Sequence, residues 1–107
     1  MVANIIVAGA GGGQGAATQL AAAVNVIATV TTANDSVKLP KGFAGLEVWI
    51  QNADAADSAQ VFTYAVGTIN NIDGSATGVA LAASKAGATL YKCLYVDATL
   101  GDVWVSE

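Results

Sequence analysis

The sequence predicts an all-β protein, a small antiparallel β-sandwich or barrel of jelly-roll-like type with seven or eight short strands. From residue 24 onward, short runs of β-branched and aromatic residues are separated by Gly, Asn, Asp and Ser at intervals of about ten residues, which is typical of such folds. No segment shows the apolar spacing of a long helix. The sequence also lacks the alternation of strands with helices that would predict a parallel sheet. With 107 residues, the chain has room for one domain.

Residues 1–23 differ from the rest because they carry no charge and contain the glycine-rich run 9–15. Glycine loses more backbone entropy on folding than any other residue, so this run predicts a flexible hinge. We therefore expect an extended Gly-rich N-terminal arm over residues 1–23, ahead of a β-sandwich body over residues 24–107. Residues 4–8 form a strand-like tip, while the Ala-rich stretch 16–23 leaves one or two helical turns as an alternative.

The strands of the body are predicted in order at residues 24–32, 37–40, 46–52, 59–66, 78–83, 88–96 and 103–106. Pro40 ends the second strand because proline has no N–H to donate. Turns are predicted at Gly67, at Asp73-Gly74, which suits a tight turn with positive φ, and at residues 84–87. Strand 46–52 alternates, with Leu46, Val48 and Ile50 on one face and Trp49 on the other between Glu47 and Gln51, which makes Trp49 notable.

The aromatic residues are interpreted as core or subunit interface rather than as a sugar-stacking platform, because Tyr and Trp are enriched at interfaces. They are Trp49, Tyr64, Tyr91, Tyr95 and Trp104. Cys93 alternates with two of these tyrosines along one strand, so we expect it to be a small buried hydrophobic residue.

The composition excludes most enzyme classes. The chain has no His, a single Cys and four Lys as its cations, so no Ser/His or Cys/His pair, His-based zinc site or disulfide framework is available. We predict no enzyme activity and no cofactor or metal. A net charge of −4 disfavours nucleic-acid binding, and no apolar run approaches the roughly 20 residues of a membrane span.

The scarcity of charge points to a partner chain. Charged residues make up 11% of the sequence and hydrophobic residues 54%, so a domain this small exposes apolar surface that another chain must cover. Residues 1–10 lack the Lys or Arg of a secretory signal, which predicts synthesis in the cytoplasm.

Two motifs suggest ligand sites but lack the required context. The run 11–16 fits G-x-G-x-x-A with Asp35 about 20 residues further on, yet a dinucleotide site also needs a long helix and a parallel sheet. The loop carboxylates of Asp54, Asp57, Asp73 and Asp97 do not have the spacing of a calcium loop. We interpret the first motif as part of the arm and the aspartates as turn residues.

A series of motifs resembles a known family. Leu39-Pro40 is followed by the segment 44–52, by Thr68-Ile69-Asn70, by the Ala-rich segment 76–83 leading to residues 87–93, and by a closing Trp104-Val105-Ser106. This order is similar to that of small tailed-bacteriophage virion proteins, in which an "LP…AGL.V.I.N" strand precedes a "TIN" turn and a "V.LAAGK.ATF.C" strand pair that ends at "W". The resemblance covers roughly residues 25–106.

The resemblance implies a β-rich virion module that binds other protein chains, typically as a homotrimer, with no catalytic residues. Its implied function is that of a capsid decoration (cement) protein, which binds the major capsid protein on the outer capsid surface of the virion and stabilises the expanded shell. The alternative is a tail fibre or spike module that binds a host receptor. A strand donated by the arm would suit the first function. The candidate interface residues are Asn4, Ile5, Ile6, Val7, Ala8 and Trp49.

Overall fold

The computed structural model describes residues 3–21, 23–64, 71–75, 77–83, 88–99 and 101–107. These residues form nine β-strands and one 3-10 turn, Gln14–Ala16, so the prediction of a β-rich protein is confirmed. The strands are β1 (Asn4–Val7), β2 (Thr18–Gln19), β3 (Val24–Thr29), β4 (Ser36–Lys38), β5 (Glu47–Asn52), β6 (Ala59–Phe62), β7 (Val79–Leu81), β8 (Thr89–Asp97) and β9 (Gly101–Ser106). The predicted strand end at residues 65–66, the turns at Gly67 and 84–87 and the motif 68–70 lie outside the described residues.

The strands form two sheets, one in the order β1-β3-β5-β8-β9 and the other in the order β2-β4-β6-β7. From β1 to β6 the chain alternates between the sheets, so neighbouring strands run parallel, as in the turns of a β-helix. The pairs β5–β8, β6–β7 and β8–β9 are antiparallel. The predicted antiparallel sandwich or barrel is therefore matched only in part, because the two sheets are mixed and not closed.

The turns explain why the predicted antiparallel direction does not hold for the strand pairs among β1 to β6. Between β3 and β4, Asn34 adopts φ 72°, and the Asp35 carboxylate accepts a hydrogen bond from the Thr32 N–H at 3.1 Å. Such residues are equally suited to a hairpin, but here they send the chain across to the other sheet. Asp73-Gly74, in contrast, forms the predicted tight turn, with φ values of 55° and 77°.

The core lies between the two sheets. Along β5 burial alternates as predicted, with Val48 and Ile50 buried and Glu47 and Trp49 exposed. Ile27 from β3 lies in the same buried cluster, and burial of each such side chain stabilises the fold by roughly 1.5–3 kcal/mol. The other members of this cluster are Ala8, Leu20, Val30, Val37, Leu39, Ala59, Val61, Ile72, Tyr91, Cys93 and Trp104.

The expected flexible arm is instead packed on the body. β1 pairs with β3, Ala8 is buried in the core, and Gly9 exchanges two backbone hydrogen bonds of 2.8 Å with Ser36. The Gln14 side chain donates a 2.8 Å hydrogen bond to the Thr63 carbonyl. These contacts offset the entropy lost by the glycine-rich run, so a flexible arm is not confirmed for the described residues of the segment 1–23.

Close packing explains why residue 9, within that run, is a glycine. A Cβ atom added to Gly9 would lie 2.0 Å from the carbonyl oxygen of Ala16, which no side chain can accommodate. The Gly-rich sequence that suggested a hinge therefore allows two backbone segments to approach each other.

Candidate functional site

The outer face of the five-stranded sheet carries a continuous apolar surface. In the sheet register, Ile5 lies opposite Val26, Val24 lies opposite Trp49, and Trp49 lies opposite Leu90. Neighbours in register point to the same side of a sheet, so these residues share one face. We call this surface the outer-face patch, consisting of Ile5, Val7, Val24, Val26, Trp49 and Leu90.

The strand period positions the two most prominent members of the patch. Ile5 is 69% exposed and Trp49 is 42% exposed, while the alternate residues of β5 point into the core. β3 lies between their strands, and Val24 and Val26 connect them across it. A rigid sheet therefore holds these side chains in place, so little conformational freedom is left to lose on binding.

The patch itself contains no charged residue. At its border, Glu47 lies directly opposite Lys92, and the Lys92 Nζ is 3.8 Å from the Glu47 Oε2. Both side chains are about half exposed, so this ion pair contributes at most about 1 kcal/mol. An uncharged apolar centre with a polar border is the composition of a protein-binding surface.

The structure divides the predicted interface residues 4–8. Ile5 and Val7 are exposed, Ala8 is buried, and Asn4 and Ile6 are partly buried. Within the described residues the backbone of this segment pairs with β3, and its donation to a neighbouring chain stays a prediction. The exposed members nevertheless share the outer face with Trp49, the other predicted interface residue.

The remaining aromatic residues are split between core and surface. Tyr91 and Trp104 are buried, whereas Tyr64 and Tyr95 are exposed. Burial raises the pKa of the Tyr91 phenol above its ordinary value, and the negative charge of Asp73 raises it further. The Trp104 Nε1 has no hydrogen-bond partner among the described residues. A buried N–H without a partner is rare in protein cores because it lowers the free energy of unfolding.

Cys93 is buried, as predicted. Burial raises the pKa of its thiol, and the charge of Asp102 acts in the same direction. The thiol therefore stays protonated near neutral pH and is a poor nucleophile. The Gly42 N–H donates a 2.7 Å hydrogen bond to the Asp102 carboxylate, which engages that group in holding the loop 41–45.

Of the predicted loop carboxylates, Asp54 acts as a turn residue, whereas Asp73 accepts hydrogen bonds from the N–H and the hydroxyl of Ser106 in β9. The Asp54 carboxylate accepts hydrogen bonds from the N–H groups of Asp57, Val30 and Ala56, which lower the pKa of Asp54. Within the described ranges, no group of three potential ligands could hold a metal ion, and no ligand-sized cavity occurs.

The dinucleotide motif does not form its site in the described part of the N-terminal segment. The glycine run leads into the 3-10 turn Gln14–Ala16 and then into β2, so the helix whose N-terminus would face a pyrophosphate is absent there. The Asp35 carboxylate, placed by the motif at a ribose, instead holds the turn before β4.

The sequence analysis missed a second exposed surface on β8. Pairing with β5 ends at Lys92, Cys93 still exchanges backbone hydrogen bonds with Gly45 and Leu46 just before β5, and residues 95–97 pair with β9 alone among the described strands. We call residues 94–97 and 101–103 the ribbon. Leu94, Tyr95 and Val96 are 46%, 48% and 54% exposed, and the register shifts between Cys93 and Tyr95. Three consecutive apolar residues in a predicted half-buried strand were the available signal, because such a strand alternates.

Comparisons of the chain with protein-family models, with curated proteins and with solved structures find no match. Among the described residues, no helix has the length and apolar character needed to cross a membrane.

Proposed function

We propose that this protein is a bacteriophage structural protein that binds the outer capsid surface as a decoration (cement) protein and stabilises the expanded shell. The observation that carries the proposal is the outer-face patch, an uncharged apolar surface on a rigid sheet with Trp49 at its centre. Within the described residues, neither a group of three potential metal ligands nor a ligand-sized cavity accompanies it. The motif order around Leu39-Pro40 and Trp104 supports the same class of protein.

A decoration protein acts by adding interface free energy between coat subunits. A Trp side chain buries roughly 150–250 Å² when fully covered. Trp49 is 42% exposed, so covering the exposed part contributes about 2 kcal/mol at ~25 cal/mol per Å². The proposed partner is the major capsid protein, which would present a complementary apolar surface. Many copies on one shell would together resist its internal pressure.

Binding to expanded coat shells tests this proposal. Trp49→Lys places a charge at the centre of the patch, whereas Ala55→Lys places the same charge on an exposed loop position. A loss of about 2 kcal/mol corresponds to roughly a 30-fold weaker affinity. We expect Trp49→Lys to cosediment with shells at least 30-fold more weakly and Ala55→Lys to bind like the wild type. Unchanged binding of Trp49→Lys would exclude the patch as the coat contact.

The alternative function is a tail fibre or spike module that binds a host receptor. The observation that favours it is the parallel stacking of β1, β3 and β5, since such stacks extend along one axis in elongated proteins. The two functions differ in copy number, because a decoration protein covers the shell and a fibre module occurs a few times per particle.

A further inference from the structure

Two surfaces at opposite edges of the five-stranded sheet are suited to meet in neighbouring copies of this chain. β1 is the last strand on one side of the sheet, and the β8–β9 pair forms the other side. The ribbon, residues 94–97 and 101–103, is the part of that pair that extends beyond the pairing with β5. Each surface presents apolar side chains that the described residues leave exposed.

The edge of β1 is open to a further strand. Within the described residues, β1 pairs with β3 alone, and on its other side the Thr18 hydroxyl donates a hydrogen bond to the Val7 carbonyl. β1 carries neither a charged residue nor a proline, which are the usual protections of an edge. At the opposite edge, β9 is covered around Trp104 but not along the ribbon, because Ile72 bridges Trp104 and the Asp73 N–H donates to the Trp104 carbonyl at 2.9 Å.

The ribbon requires a partner for a different reason. Two strands paired with each other alone are marginally stable in water, and this pair exposes Leu94, Tyr95 and Val96 in succession. One end of the ribbon is fixed to the body by the hydrogen bond from the Gly42 N–H to Asp102. A strand added beside the ribbon would cover the apolar side chains and make the ribbon part of a three-stranded sheet.

Charge selects which surfaces meet. The ribbon carries Asp97 and Asp102, so contact between two ribbons would bring four carboxylates together in a protein of net charge −4. β1 is uncharged, so a ribbon can approach it without this repulsion. Contact between two β1 edges would avoid the repulsion too, but it would leave the ribbons uncovered.

We propose that the ribbon of one copy packs against the β1 edge of a second copy of this chain. The two surfaces lie at opposite edges of one sheet, so each copy can bind one neighbour through its ribbon and another through its β1 edge. A head-to-tail contact of this kind forms a ring where the rotation closes, and we expect a ring of three or more copies. The contact uses Ile5 at the β1 end of the outer-face patch, whereas Trp49 and Leu90 at its other end stay free for the coat, so self-association does not rest on the proposed function.

Light scattering on the purified protein tests the assembly. We expect a mass of three or more times the 10.6 kDa of one chain, reduced to 10.6 kDa by Val96→Lys and by Ile5→Lys. Both positions are more than half exposed, so circular dichroism of the variants should match the wild type. Trp49→Lys is the matched control and should keep the wild-type mass. A wild-type monomer or dimer, or an unchanged mass for Val96→Lys, would overturn the proposal.

Cross-linking with a bis-maleimide tests which surfaces touch. Ile5→Cys and Val96→Cys each add one accessible thiol, while the native Cys93 is buried. We expect no cross-link in either single variant, a cross-linked pair in a co-refolded mixture of the two, and covalent oligomers in the double variant. A cross-link within a single variant would show that two ribbons, or two β1 edges, contact each other. Absence of a cross-link from the mixture would show that the ribbon and β1 of neighbouring copies are not in contact. Either result overturns the proposal, and neither bears on shell binding through Trp49.

Discussion

Ala8→Asp tests whether the N-terminal segment is part of the folded body. Ala8 is 6% exposed in the core, so a longer side chain there costs about 1–3 kcal/mol in overpacking. A carboxyl group in this environment stays protonated at pH 7, which requires a pKa raised by about three units and costs roughly 4 kcal/mol more. The sum of about 5–7 kcal/mol is comparable to the total stability of roughly 5–15 kcal/mol of a typical domain.

Urea unfolding followed by Trp fluorescence measures this effect. Ala10→Asp is the matched control, because Ala10 is exposed, lies two residues away and belongs to the same segment. We expect Ala10→Asp to unfold within about 0.5 kcal/mol of the wild type and Ala8→Asp to be largely unfolded. If both variants have wild-type stability, the segment does not pack as described and the flexible arm is the better account.

Three further results are expected. Gly42→Ala should lower the free energy of unfolding by about 1–3 kcal/mol in urea, because its Cβ would lie 2.8 Å from both the Asp102 carboxylate and the Cys93 sulfur. Because the pKa of Tyr91 is raised in the folded protein, the unfolded state alone ionises this group just above pH 10.0; stability should therefore fall as the pH rises past that value, with a shallower decline in Tyr91→Phe. The Cys93 thiol should resist maleimide at neutral pH until urea unfolds the chain, and rapid labelling of the folded protein would contradict its burial.

Local patterns predicted the strands well because they depend on neighbouring residues. The alternation around Trp49 correctly gave the buried and exposed faces of β5, and Asp73-Gly74 gave a tight turn. The direction of strand pairing is a property of the whole chain. A turn such as the one at Asn34 has the same residues whether it leads back along the same sheet or across to the other one.

The candidate site was predicted only in part, because it too depends on how distant parts of the chain pair. Periodicity placed Trp49 on the more polar face of its strand, but it could not show that Ile5 lies on the same face, because β3 lies between them. The glycine run suggested a hinge because the Gly9 contact with Ser36, a residue far along the chain, leaves no local signal. The ribbon was missed because the register shift after Cys93 ends the regular alternation of β8.

The most direct test of the central claim is the copy number of this protein in purified virions that encode it, measured by quantitative mass spectrometry against the major capsid protein. The account predicts a ratio comparable to that of the capsid protein, since a decoration protein covers the shell. A few copies per particle would contradict the decoration function and favour a fibre or spike, and absence from the particle would contradict both.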